Sequence, residues 1–343
     1  MKIGKFLIGT SLGLSVATAN AVEVLFTEIP LDNLNHYDTS TSIGDSGLVS
    51  LIDSEGNLFK WSSDEGLTSL PVSKKEKGVS LAKISNDGRY ILRARSSGTA
   101  DYFTPSGVIN PNVEDFKSND MSEDGLVIGG YVPHGQYSRL PAIQKEQNIF
   151  VFSDGQLSGY EIIDLNLTGS VMLARSYDAS RNGGSALALL YSDGSWEKLT
   201  ENFNPTGLHT LTSDGDVVFA RLKNPEGASC GHITNFKWSH EAGLQEIDCQ
   251  FSWVVDATAD ASRVIGRGKV YGEPWESYIW DKQNGTRNIR EVLLQHGVDL
   301  YAWGDIMVSD ISDDGNKIVG VGTNPSGVRH PFVIDIVPVC NGF

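Results

Sequence analysis

The sequence predicts an all-β fold, a single seven-bladed β-propeller closed by an N-terminal strand, with six or eight blades as the neighbouring alternatives. Three observations carry this. A turn of the form Ser-x-Asp-Gly recurs, with anchor residues at Gly47, Gly88, Gly125, Gly169, Gly215, Ala261 and Gly315 and spacings of 41, 37, 44, 46, 46 and 54. A β-branched run follows each turn. Aromatic residues two apart come next in several copies, which puts them on one face of a strand. A strand-built repeat of roughly this period is the mark of propeller blades.

The turns explain themselves position by position. The clear copies are "KISNDGRYILRA", "DMSEDGLVIGG", "TLTSDGDVVFAR", "DATADASRVIGR" and "DISDDGNKIVGVG", with weaker ones at "SIGDSGLVSLI" and "DLNLTGSVMLAR". Four residues before each anchor stands an apolar side chain: Ile43, Ile84, Met121, Leu165, Leu211, Ala257 and Ile311. Asp precedes the anchor at 87, 124, 214, 260 and 314. Ser and Asp can bond nearby backbone groups, and glycine adopts positive φ without steric cost. Ala261 at that place is expected to be mildly strained. Five residues past the anchor small residues recur (Gly130, Ala174, Ala220, Gly266, Gly320), which predicts close approach by the backbone of a packed neighbouring blade. Third strands carry Phe59 and Trp61, Phe236 and Trp238, Tyr278 and Trp280, and Phe332 with Ile334. Fourth strands are expected over "GLTSLPV", "GLQEID" and "TRNIREVL". The third copy is the least regular. The last copy lacks a fourth strand, and "VEVLFTEIP" at 22–30 has no blade of its own. Lending it to the last blade closes the ring and removes an open edge.

The four letters "GDSG" at 44–47 match the surroundings of a chymotrypsin-like nucleophile, yet they align with the blade turns, with Ile43 as the buried position and Gly47 as the turn glycine. Ser46 is therefore expected to be a turn residue. "GTSLG" at 9–13 matches a nucleophile elbow but falls inside a targeting segment.

That segment is residues 1–21: Lys2 and Lys5, then an apolar run, then the small-x-small "ANA". It reads as a cleavable signal peptide with cleavage after Ala21 and predicts a periplasmic or secreted protein, with residues 22–343 as one propeller domain. No later stretch is long and apolar enough to insert in a membrane. The chain has 43 acidic against 27 basic residues, net −16. Loss of Lys2 and Lys5 leaves 25 basic residues and a net charge of −18, which repels nucleic acid and anionic lipid. Export permits disulfides. Cys230 and Cys249 flank one candidate hairpin and are the expected pair, leaving Cys340 as a thiol. Oligomeric state is not legible.

Copies such as "VSDISDDGNKIVGVGTNPSGVRHPFVIDI" and "SYIWDKQNGTRNIREVLLQHGVDLYAWGD" resemble the extracellular HAF-family repeat, over roughly 205–337. The resemblance implies an exported bacterial propeller-like protein and carries no catalytic residues. "SNDG" is also similar to the turns of TolB-like propellers, but the small residue five past the anchor fits the HAF repeat better.

The chemical candidates follow from the register. No zinc, P-loop or dinucleotide pattern occurs. "DISDDG" and "DMSEDG" resemble part of a calcium loop, but the twelfth position is Val321 or Tyr131 rather than Glu. Five residues before the anchors stand Ser42, Lys83, Asp120, Asp164, Thr210, Asp256 and Asp310, on the innermost strands. The four Asp either bond groups of their own turns or form a partial carboxylate ring that attracts Ca2+ or another cation; no other cofactor is expected. Ligand sites of propellers more often lie on the face opposite these turns. There the loops offer His134, Tyr137, Arg139, Tyr177, Arg181, Trp275, Glu276, Arg329 and His330, types suited to a glycan or protein ligand. The expected function is non-catalytic binding or scaffolding. The alternative is a polysaccharide-active lyase or hydrolase, with His134 or Tyr137 as base and Arg139 holding a carboxylate.

Overall fold

The computed structural model describes residues 22–31, 34, 41–72, 79–95, 100–109, 116–135, 138–176, 186–199, 204–223, 233–247, 252–268 and 275–338. Among them the strands form seven four-stranded antiparallel sheets arranged as the blades of a propeller. The innermost strands of blades 1 to 7 are Thr41–Ile43, Val79–Ile84, Lys117–Met121, Tyr160–Leu165, Asn204–Leu211, Trp253–Ala257 and Ile306–Ile311. Blade 7 takes its outermost strand, Val22–Glu28, from the other end of the chain, with Val22 opposite Pro338 and Glu28 opposite Phe332. A cluster of Ile43, Val49 and Leu51 with Met307, Val319 and Val333 seals the seam between blades 7 and 1.

Each regular turn is a small closed network. The hydroxyls of Ser85, Ser122, Thr212, Thr258 and Ser312 donate to the Asp two residues on, at 2.5–2.9 Å. The same hydroxyls accept the N–H five residues on. The Asp accepts the N–H two residues further. All seven anchors have positive φ, including Ala261 at 54°. "GDSG" is one of these turns: Gly47 N–H bonds Gly44 O at 2.9 Å, Ser46 N–H bonds Asn86 O at 3.0 Å, and the Ser46 hydroxyl accepts from Leu48 N–H at 3.4 Å.

The anchors are glycine for a second reason. A Cβ on Gly125 would lie 2.5 Å from Tyr90, and one on Gly88 would lie 2.2 Å from Leu48, both on the preceding blade. Positive φ costs a side-chain-bearing residue about 1–2 kcal/mol, and overpacking adds about 1–3. Gly125→Ala is therefore expected to lower the unfolding free energy by about 2–4 kcal/mol in urea titrations, whereas Ala261→Gly should stay within about 1 kcal/mol of the parent, because relief of strain is offset by lost methyl burial and a more flexible unfolded chain.

Three expectations change. The small residues five past the anchor answer to their own blade: a Cβ on Gly130 would meet Lys117 O at 1.9 Å, and one on Gly320 would meet Met307 O at 2.4 Å. "TRNIREVL" is not one strand. The outer strand Gly285–Asn288 stops where the Asn288 side chain accepts the Arg290 N–H, capping the helix Ile289–Gln295. Ile289 and Leu293 face the core from that helix. Blade 3, the least regular in sequence, forms a regular sheet with the long hairpin Val127–His134 and Ser138–Lys145.

Candidate functional site

The central channel is built by a repeated irregularity. In blades 3, 4, 6 and 7 the pairing of the first two strands shifts by one residue, between Ser118 and Asp120, Ile162 and Asp164, Val254 and Asp256, and Val308 and Asp310. Such a bulge leaves one residue unpaired and turns neighbouring side chains to the same side. In these four blades two successive positions therefore line the channel, and the matching positions of blades 1, 2 and 5 line it with them. The lower ring holds Ser42, Lys83, Asp120, Asp164, Thr210, Asp256 and Asp310. The upper ring, one residue earlier and further from the turns, holds Thr41, Ala82, Asn119, Ile163, His209, Val255 and Ser309.

The lower ring stitches the blades together. Asp310 accepts the Ile43 N–H of the next blade at 2.9 Å, Asp164 accepts Leu211 N–H at 2.7 Å, and Asp256 accepts Ile311 N–H at 3.2 Å. Ser42 does the same for Ile84 N–H at 3.3 Å. The partners thus lie on the following blade, and Asp164, Asp256 and Asp310 also bond the next residue of their own strand. Asp120 shares a hydrogen bond with Asp164, and Asp256 with Asp310. Burial, reinforced by these neighbouring carboxylates, pushes Asp120 and Asp256 well above the usual range. The cation of the ring is internal. Lys83 Nζ lies 2.6 Å from Glu123 Oε1 on the turn side. Burial opposes its charge, but Glu123, Asp120, Asp310 and Asp256 together hold its pKa well above the ordinary value. Burial, with Asp313 and Asp310 adding, pushes Glu123 up to about 8 against the pull of Lys83. Among the described residues no group of three or more His, Cys, Asp or Glu is arranged to hold a metal ion.

This collar divides the channel. Below it, on the turn side, is a space of about 10 Å³ lined by Glu123, Ser213 and Asp313. Above it, towards the loop face, opens a funnel of about 170 Å³. His209 lines this funnel, and both its ring nitrogens are buried without a hydrogen-bond partner. Burial first, then the charge of Arg175, drives its pKa down to about 3, so the imidazole is neutral at physiological pH. The hydroxyls of Thr41 and Ser309 in the same wall also lack partners. Arg267, in the wall as well, donates from Nε to Val308 O at 2.6 Å. Beside the funnel, at the seam of blades 3 and 4, Glu161 joins Arg139 and Arg175, the latter at 3.2 Å. The Arg139 guanidinium lies 4.6 Å from the centre of the Tyr131 ring.

Among the described residues the loop-face candidates are not brought together. His134 is exposed at the end of the blade 3 hairpin. Arg139 alone reaches the funnel's neighbourhood. Trp275 stacks on Trp253 at 4.6 Å, and Arg221 covers Trp253 at 5.4 Å, so the pair is a closed stack rather than an open platform. Glu276 pairs with Arg290 at 3.0 Å, anchoring the helix, while the Arg290 guanidinium reaches the carbonyls of Leu300 and Gly304. Arg329 meets Asp305 at 3.5 Å, and His330 meets Glu28 at 3.2 Å, across the closing strand. Tyr137, Tyr177, Arg181, Cys230, Cys249, Cys340 and residues 1–21 lie outside the described residues. His209 is the residue that sequence reasoning missed. Comparing the copies one position before the Asp ring would have found it, since six copies there have Thr, Ala, Asn, Ile, Val or Ser and one has His.

No family model matches the chain, and no curated protein matches its sequence. Solved structures do. An oligogalacturonate lyase from Vibrio parahaemolyticus is 13% identical over 92% of this chain and 98% of its own, with a TM-score of 0.63. An oligogalacturonate lyase in complex with manganese is 12% identical over 92% and 90%, with a TM-score of 0.60. The β-propeller domain of the Trilobed protease from Pyrococcus furiosus is 13% identical over 90% and 98%, with a TM-score of 0.59. That last propeller has an open velcro topology, unlike the closed pairing of Val22–Glu28 here. At these identities the likeness is one of fold.

Proposed function

We propose that the chain is an exported, non-catalytic binding propeller that receives a sugar-sized, polyhydroxylated ligand, such as the end of a glycan, in the loop-face funnel. The observation that carries this is His209, a neutral imidazole with two unpartnered nitrogens in the wall of an open cavity. A buried polar group without a partner costs stability, and a ligand hydroxyl supplies the missing bonds. Thr41 and Ser309 add two more such groups. The funnel is below the roughly 300–1,000 Å³ that drug-sized ligands occupy, so one small ring is the natural guest. Its acidic surroundings agree with the net charge of −16 in disfavouring polyanions. The HAF resemblance and the N-terminal segment support export.

A glycan array identifies the ligand, and calorimetry with His209→Ala measures the contact. The variant is expected to lose at least about tenfold in affinity while keeping its melting temperature. Unchanged affinity, or an array with no hit, overturns the reading.

A second reading is a polysaccharide-active enzyme. What favours it is that Arg139 joins an acid and a second Arg of the next blade beside a histidine, and that two structural neighbours are oligogalacturonate lyases. Release of unsaturated, ultraviolet-absorbing products from oligogalacturonate would establish it.

A further inference from the structure

The floor and the wall of the funnel differ in chemistry, and the difference specifies a ligand. We propose that the funnel is built for a ligand bearing a primary ammonium group, with an amino sugar as the chemical class. The ammonium sits over the acid collar and the ring hydroxyls reach His209 and Thr41. This rests on the binding reading above and narrows it.

The collar supplies the acceptors. Asp120, Asp164, Asp256 and Asp310 all border the funnel. They come as two hydrogen-bonded carboxyl pairs, one on blades 3 and 4 and one on blades 6 and 7. Two carboxyls in contact hold a proton between them unless a cation intervenes. The ring already accepts one ammonium, from Lys83, but that group is drawn to Glu123 on the turn side. It leaves the funnel side of the pairs facing open space. The other cations nearby are committed elsewhere: Arg267 to Val308 O, and Arg175 to Glu161. The second observation is independent of the acids. Thr41 is 4% exposed, and its hydroxyl, like both nitrogens of His209, has no partner in the wall above the collar. These neutral donors and acceptors match hydroxyls, as the carboxyls match an amine.

An arriving ammonium displaces the protons shared within the pairs, so binding releases protons and affinity should rise with pH. Asp120 and Asp256, both held protonated by burial and their partners, are the groups that would give them up.

The test compares glucosamine, glucose and glucuronate by calorimetry. Glucosamine is expected to bind at least about tenfold tighter than glucose, to bind tighter at about pH 7 than at about pH 5, a range in which its own amine stays largely protonated, and to lose its advantage in Asp256→Asn. That variant keeps an oxygen for the Ile311 N–H and removes the carboxyl that would release its proton to become the ammonium's counter-charge; its melting temperature reports whether it folds, and Asp120→Asn serves as the parallel variant. Equal binding of glucose and glucosamine, or a preference unmoved by both substitutions, overturns the amine inference and leaves the binding reading standing. Tightest binding of glucuronate overturns it and favours the lyase reading. If none of the three binds, and the array gives no hit either, the binding reading itself falls.

Discussion

Asp101→Ala will lower the unfolding free energy by about 3–5 kcal/mol, the cost of stranding one charge of a fully buried pair. Arg93 and Asp101 both have no exposed side-chain surface, and Arg93 Nη1 lies 2.6 Å from Asp101 Oδ2. Arg93 Nη2 also donates to Gly56 O at 2.6 Å, on blade 1. The guanidinium therefore joins blades 1 and 2 from inside the sheet stack. The double variant Arg93→Met with Asp101→Leu removes both charges and should recover most of the loss, since apolar replacement of a buried pair is often neutral. Urea titrations of both variants decide it. A single variant within about 1 kcal/mol of the parent would show that the pair is not electrostatically critical.

Lys83→Met should be the most pH-sensitive change in the protein. It deprives Asp120, Asp256, Asp310 and Glu123 of their internal cation. The sign follows from the raised acids. A folded-state pKa above the unfolded value contributes stability that is present at low pH and lost as pH climbs through the folded value. In the parent, Glu123 brings such a loss near pH 8. Without Lys83 the acids must hold their protons more tightly, so the variant should be close to the parent at about pH 5 and weaker by about 3 kcal/mol or more at about pH 8. Thermal unfolding across that range measures it. Equal destabilisation at both ends would show that Lys83 acts through packing alone.

The blade count, the closure and the turn chemistry were legible in the sequence because each is local and repeated. A Ser hydroxyl, an Asp and a residue at positive φ make the same turn wherever they stand, and seven copies give the register. Even Ala261 announced itself as the odd residue at a left-handed position. The site was only half legible. The Asp ring could be aligned, but not its partners, which lie on the following blade. The bulge could not be read at all, because it depends on how two strands pair rather than on what either contains. It brings the position before the Asp into the channel in four blades, and in blade 5, where the pairing shifts between Pro205 and His209, His209 takes the matching place. The aromatic and charged residues of the loop face stood out by type, yet Trp275, Glu276, Arg329 and His330 each serve a local seam or anchor. Loop composition reports exposure, and exposure alone does not make side chains converge.

The stitch from Asp310 to the Ile43 N–H spans 267 residues, and counterparts at three other seams make four in all. A linear array of repeats can fray from either end and lose one unit at a time. A hoop fastened at its hub cannot: at four seams one blade holds an amide of the next, and the first waits upon the last. Order in this protein should therefore arrive late and together, with no stable arc of three or four blades along the way, and a lesion in any one blade should be felt on the far side of the ring.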